Sequence, residues 1–179
     1  MNVLRLTAIS IVLLLITGQS ALAQEAELPE DFTQFCEALV GSWEGEMMNT
    51  MANGTEQTLP ILCEYRKILN GTAIYGEVVL TVTPDFVVEV IQIIAWDAVT
   101  NKIVLFEVAD NGEVAHSVGS KPKFPEMAYS LAMSKDTDKG KYEAATIMSF
   151  PEADTMLYKV RFTIDGEVLL NQKITLERQ

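Results

Sequence analysis

The chain has 179 residues, 49% of them hydrophobic, and 25 acidic side chains against 13 basic give a formal net charge of −12 at pH 7. That balance disfavours nucleic acid as a partner, because phosphate backbones are held by an excess of Lys and Arg. The length suits one domain with a sizeable core, and a single histidine with two cysteines leaves little material for a metal centre.

Arg5 is the one charge ahead of the apolar run Ile9 to Ile16, and Ala21-Leu22-Ala23 has the small-x-small pattern of a cleavage site. Residues 1–23 therefore read as a secretory signal, with the mature chain beginning near Gln24 and one domain over 24–179. The run is shorter than the roughly 20 apolar residues a spanning helix needs, so no membrane span is expected after cleavage. No cysteine follows the cleavage site, so no lipid anchor is suggested. The expected location is secreted or periplasmic. Removal of Arg5 leaves the mature chain at −13.

Pro29 is expected to start a helix, with Glu30 and Asp31 in the first turn, where the helix dipole favours negative charge. Phe32, Phe35, Cys36, Leu39 and Val40 recur at helical spacing, and Gly41 at the C′ position ends the element. In an oxidising compartment Cys36 and Cys63 suggest a disulfide closing 26 residues and worth roughly 3 kcal/mol. Two buried free thiols are the alternative.

From Ser42 the hydrophobic period becomes two. Strands are expected at Ser42 to Met48, Glu56 to Leu69, Thr72 to Thr83, Phe86 to Asp97 and Ile103 to Ala109. Five more follow at Glu113 to Ser120, Met127 to Ser134, Lys141 to Phe150 and Met156 to Thr163, and after the Asp165-Gly166 turn a tenth that ends at about Glu177. The links are short turns such as Asn70-Gly71, Pro84-Asp85 and Asp110-Asn111-Gly112, plus a loop over Lys121 to Pro125. About ten strands in up-and-down order, with no crossover helix, imply an all-β antiparallel barrel, since closure removes exposed edges.

Turn lengths give registers. A two-residue loop at Asn70-Gly71 sets Arg66 opposite Tyr75 and Glu64 opposite Glu77. The turn at Asp110-Asn111-Gly112 sets Phe106 opposite His116. At Asp165-Gly166 a two-residue loop would lay an apolar face on a polar one. A three-residue loop, pairing Phe162 with Val168 and Val160 with Leu170, is therefore expected. Strand four is apolar on both faces, with Val87, Ile91 and Ile93 on one and Val88, Val90, Ile94 and Trp96 on the other. The N-terminal helix or a homodimer contact would cover the second face.

The opening Gly41-x-Trp43-x-Gly45 after an amphipathic helix resembles lipocalin-type barrels, the calycins. The chain is more closely similar to an uncharacterised bacterial family of lipocalin-like barrels in Glu64-Tyr65-Arg66, in Leu69-Asn70-Gly71 and in Ala95-Trp96-Asp97, where that family often has Gly-Tyr-Asp. The resemblance implies a barrel with an internal cavity and no established activity. The haem-binding nitrobindin type has a similar opening, but the sequence around His116 does not look like that family's.

The expected function is that of an exported binding protein for a small apolar or amphipathic molecule. Its lining is expected from Trp43, Tyr65, Val78, Phe106, His116, Tyr158 and Phe162. Arg66 and Glu77 form either an outward ion-pair patch or a clamp for a ligand carboxylate. The alternatives are a haem barrel with His116 as axial ligand, otherwise with no cofactor, and a packed barrel acting as an interaction protein. His116 has no adjacent nucleophile motif and no phosphate loop is present, so catalysis is the least supported class; no metal site is expected.

Overall fold

The computed structural model describes residues 28–121 and 127–179. The expected signal and its cleavage site, and most of the loop over Lys121 to Pro125, lie outside the described residues. Among the described residues one α-helix, α1 (Glu30–Leu39), precedes ten strands: β1 (Gly41–Met51), β2 (Glu56–Ile68), β3 (Ala73–Thr83), β4 (Phe86–Asp97) and β5 (Lys102–Ala109), then β6 (Val114–Ser120), β7 (Ala128–Thr137), β8 (Gly140–Glu152), β9 (Thr155–Ile164) and β10 (Glu167–Arg178). Each strand is antiparallel to its sequence neighbours, and β1 pairs with β10 to close a barrel. It is an all-β, lipocalin-like up-and-down barrel entered from one short helix.

The helix forms the floor. Its stripe of Phe32, Phe35, Cys36 and Leu39 is buried. Phe35 meets Tyr129 edge-on at 4.7 Å between ring centroids and Phe150 at 5.6 Å, while Phe32 lies 5.6 Å from Trp96. Trp43, only 1% exposed, donates its indole N–H to the Leu39 carbonyl at 2.8 Å. Because α1 plugs the floor, it does not cover the outer face of β4, contrary to one of the two expectations for that face.

The helix ends at Val40, whose N–H reaches back to the Cys36 carbonyl. No basic residue lies in its last turn. Arg178, at the far end of the chain, supplies the missing charge by donating to the carbonyls of Val40 at 2.6 Å and Ala38 at 2.5 Å. Its guanidinium also lies 4.3 Å over the Trp43 ring. A cation at a helix C-terminus and over an indole is favourable on both counts. Gly41, at φ +134°, stands so close to Arg178 that a Cβ would strike the guanidinium.

The expected registers at the first two turns are present: Arg66 pairs with Tyr75, Glu64 with Glu77, and Phe106 with His116. The third differs. The β9–β10 link is a two-residue turn, with Asp165 at φ 49° and Gly166 at φ 84°. A bulge between Val168 and Leu170 then shifts the register, so that Phe162 pairs with Leu170 and Val160 with Gln172. Apolar side chains still meet on one face at Phe162 and Leu170. The mismatch a tight turn would create is removed by one extra residue in the strand instead of one in the loop, and Leu169 is turned outward.

The second difference is covalent. Cys36 and Cys63 are free thiols, both buried. Cys36 belongs to the helix stripe and Cys63 to the barrel wall opposite Trp43. Each packs as a small apolar group, and burial pushes each thiol up to about 12.

Candidate functional site

Alternation of burial assigns the two faces of every strand. Odd residues of β1, β2, β5, β6 and β7 point inward, as do even residues of β3, β4, β8, β9 and β10. Near the helix the interior is packed by Trp43, Ile74, Ile94, Ile103, Tyr129 and Met148, none more than 1% exposed. Towards the other end, inward side chains such as Leu80, Val90, Tyr142 and Phe162 are only half-buried. The barrel thus has a solid floor under α1, and its inward, largely apolar side chains are less closely covered towards the end opposite α1. Among the described residues the shortest ladder is that of β6 and β7, with Val118–Ala132, Gly119–Leu131 and Ser120–Ser130.

One row of the inner wall is polar. The register aligns Tyr65 with Gly76, Gly76 with Gln92, and Gln92 with Glu107 across four consecutive strands. Gly76 has no side chain, so the Tyr65 ring lies over its backbone. The Tyr65 hydroxyl thereby donates to Gln92 Oε1 at 2.8 Å. The Gln92 amide then donates through Nε2 to Glu107 Oε1 at 2.7 Å. Each bond fixes the next: the phenol holds the amide one way round, and the amide holds the carboxylate.

The electrostatics of this row are those of a desolvated site. Burial raises the Glu107 carboxyl above the usual range, partly opposed by the Gln92 hydrogen bond. Tyr65 and Tyr158 are both pushed well above the ordinary phenol range, chiefly by burial and in part by Glu107. Both stay neutral donors at any physiological pH. Among the described residues no cation pairs with Glu107, and Gln92 is its one side-chain donor. Asn49, also inward and 6% exposed, has an Oδ1 with no partner among the described residues. The arrangement can hold a polar group by hydrogen bonds and an apolar body by contact. It pairs no nucleophile with a base, and no group of three metal-ligating side chains occurs among the described residues.

Of the expected lining residues, Tyr65, Val78, Tyr158 and Phe162 point into the barrel, and Trp43 does so as part of the floor. Phe106 and His116 do not. They form a cross-strand pair on the outer face, ring centroids 6.5 Å apart, with Phe106 42% exposed. The inner positions of β5 are Ile103, Leu105 and Glu107, so apolarity pointed to the wrong face there. His116 is consequently out of reach of any group held in the lumen. Arg66 and Glu77 also face outward, Arg66 stacking 4.4 Å over the Tyr75 ring, so they form a surface patch rather than an interior clamp.

Gln92 and Glu107 were missed by sequence reasoning. The signal available was their pairing: two polar residues opposed on faces that otherwise read Val88, Val90, Ile94 and Trp96 against Ile103 and Leu105. A separate concavity of about 490 Å³ lies on the outer surface of β1 and β8–β10, among Met48, Ile147, Lys159, Arg161 and Lys173. Its lysines Lys159 and Lys173 stand directly opposite each other, and it shares no polar side chain with the row described above.

Fold and site together define a lipocalin-like barrel with a polar row on its largely apolar inner wall. A solved structure described as an S-type phycobiliprotein lyase from Guillardia theta superposes with a TM-score of 0.59 over 83% of this chain and 92% of that one, at 12% identity. At that identity the likeness is one of fold. A protein of unknown function from the DUF3598 family of Nostoc punctiforme aligns over 85% of this chain and 100% of its own at 8% identity, with a TM-score of 0.29. No family model matches the chain, and no curated protein matches it. No helix among the described residues is long and apolar enough to cross a membrane.

Proposed function

We propose that this protein is an exported carrier, secreted or periplasmic, that holds a small amphipathic molecule in the barrel. On this reading it is akin to the uncharacterised bacterial lipocalin-like barrels that its opening motif resembles. The observation that carries the proposal is the row Tyr65–Gln92–Glu107, which holds a carboxylate with no cationic partner among the described residues on the largely apolar inner wall. Burying such a group is costly unless something compensates it, and a wall devoted only to packing would have an apolar side chain there. A lyase that acts on phycobiliproteins is built on a similar fold, which accords with a barrel that handles a small molecule.

Native mass spectrometry of the protein isolated from its source tests this. A co-purifying small molecule, released on denaturation and displaced by an apolar dye such as Nile red, is the expected result. A clean protein mass together with no dye uptake would instead mean a packed barrel acting through its surface. For the exposed apolar face of β4–β6 we propose a second copy of the chain as the covering partner.

A further inference from the structure

Resting on the lumen reading above, we propose that the ligand is a basic amphiphile, whose protonated amine sits on Glu107 and whose apolar body fills the open half of the barrel.

Three features of the molecule lead there. The first is the direction of the hydrogen bonds. Tyr65 donates to Gln92 and Gln92 donates to Glu107, so the row ends in a carboxylate that presents acceptor capacity to the lumen. The second is Asn49, whose Oδ1 also lies inside without a donor. The Tyr129 hydroxyl is also unpartnered among the described residues, but it is sealed in the floor against Phe32 and Phe35. On the wall, Glu107 and Asn49 both call for donors, which an anionic headgroup would leave unmet and a carboxylate ligand would oppose by like-charge repulsion.

The third is the charge at the mouth. Four of its five turns carry carboxylates, Asp85, Asp110 with Glu113, Asp138 and Asp165, and Glu56 opens β2 directly after the fifth. The lysines at that end, Lys135, Lys139 and Lys141, all belong to the β7–β8 hairpin, and Lys141 is paired with Glu143. A rim of predominantly one sign around a low-dielectric opening concentrates the opposite sign there. A cation is therefore attracted to the entrance and, once inside, meets the buried carboxylate. A neutral hydroxyl could donate to Glu107 as well, but hydrogen bonds between ions are roughly twice as strong as neutral ones. One carboxylate alone does not make a metal site, which leaves an organic cation as the fitting class.

The test is displacement of Nile red from the full protein by dodecylamine, dodecanol and dodecanoate, each below its micellar concentration at pH 7. Dodecylamine should act at about tenfold lower concentration than dodecanol, with dodecanoate weakest. Glu107→Gln, nearly isosteric, should still take up Nile red and bring amine and alcohol within about twofold of each other. Equal potency of amine and alcohol in the wild-type protein overturns the proposal without any variant being needed. So does an amine preference that survives in Glu107→Gln, since the rim alone would then explain it. Those outcomes leave the carrier reading intact, whereas failure of the wild-type protein to bind Nile red removes that reading and the amine with it.

Discussion

The Tyr65 ring occupies the space in which a side chain on Gly76 would stand. The two residues are cross-strand partners, so the glycine is what lets a β2 tyrosine lean across β3 and reach Gln92 on β4. Gly76→Ala should therefore destabilise the protein by about 2 kcal/mol through overpacking, read from urea unfolding. In a Tyr65→Ala background the same change should be nearly neutral. A Gly76→Ala cost that persists without the ring would mean that strand β3 itself, and not Tyr65, needs the glycine.

How much of this was legible in the chain can be judged at the same place. The Tyr65–Gly76 pairing follows from the Asn70-Gly71 turn, because a tight turn with left-handed residues sets the register of its hairpin. The faces were not legible where both were apolar. On β5 the alternation Ile103, Leu105, Glu107 against Val104, Phe106, Val108 favours the second set as the core by hydropathy, and the barrel uses the first. The reason is a functional one on our reading: the inner face gives up one apolar position to a carboxylate. The bulge at Leu169 was hidden for a different reason, since an extra strand residue leaves the face pattern of its neighbours unchanged.

Arg178 joins the two ends of the fold. It caps α1 at the carbonyls of Ala38 and Val40 and stacks on Trp43. Arg178→Ala should cost about 2 kcal/mol and raise the accessibility of Trp43 to acrylamide quenching. Arg178→Lys should recover less than half of the loss, because an ammonium cannot fork to two carbonyls while lying flat on an indole. Full recovery by lysine would reduce the contact to simple charge.

The two thiols give a clear readout of their state. Burial pushes both up to about 12, so neither supplies thiolate at neutral pH in the native protein. Ellman's reagent should detect no thiol in the folded protein and two in guanidinium without reductant. Zero thiols in guanidinium would mean that Cys36 and Cys63 are joined after export.

The outer face of β4–β6 sets Ile93, Phe106 and His116 in one row and Ile91, Val108 and Val114 in the next. Ile91, Phe106 and Val114 are 44%, 42% and 54% exposed. If a second copy covers this face, sedimentation velocity should show a dimer at high concentration, and Phe106→Lys should yield a monomer with unfolding stability unchanged at low concentration. Sedimentation as a monomer at every concentration would leave the face to another partner.

The last prediction concerns pH and Glu107. Burial holds its carboxyl above the ordinary value in the folded protein, so between the unfolded and folded pKa the native state binds more protons than the unfolded one. Stability linked to this group is therefore fully present below the unfolded value and declines as pH rises through the folded one. Tyr65, Tyr158 and Cys63, which share its surroundings, are all shifted upward and remain neutral through this range, so Glu107 alone titrates on that wall. Glu107→Gln keeps the shape and removes the titration. Urea unfolding of the two proteins should give equal stabilities at the acid end of the range, and an advantage for Glu107→Gln that grows as pH rises towards neutrality. Adding dodecylamine at neutral pH should stabilise the wild-type protein more than the variant and so narrow or reverse that gap, because a bound cation compensates the charge that burial disfavours. A pH-independent difference between the two would show that the carboxyl is as well solvated in the barrel as in the unfolded chain.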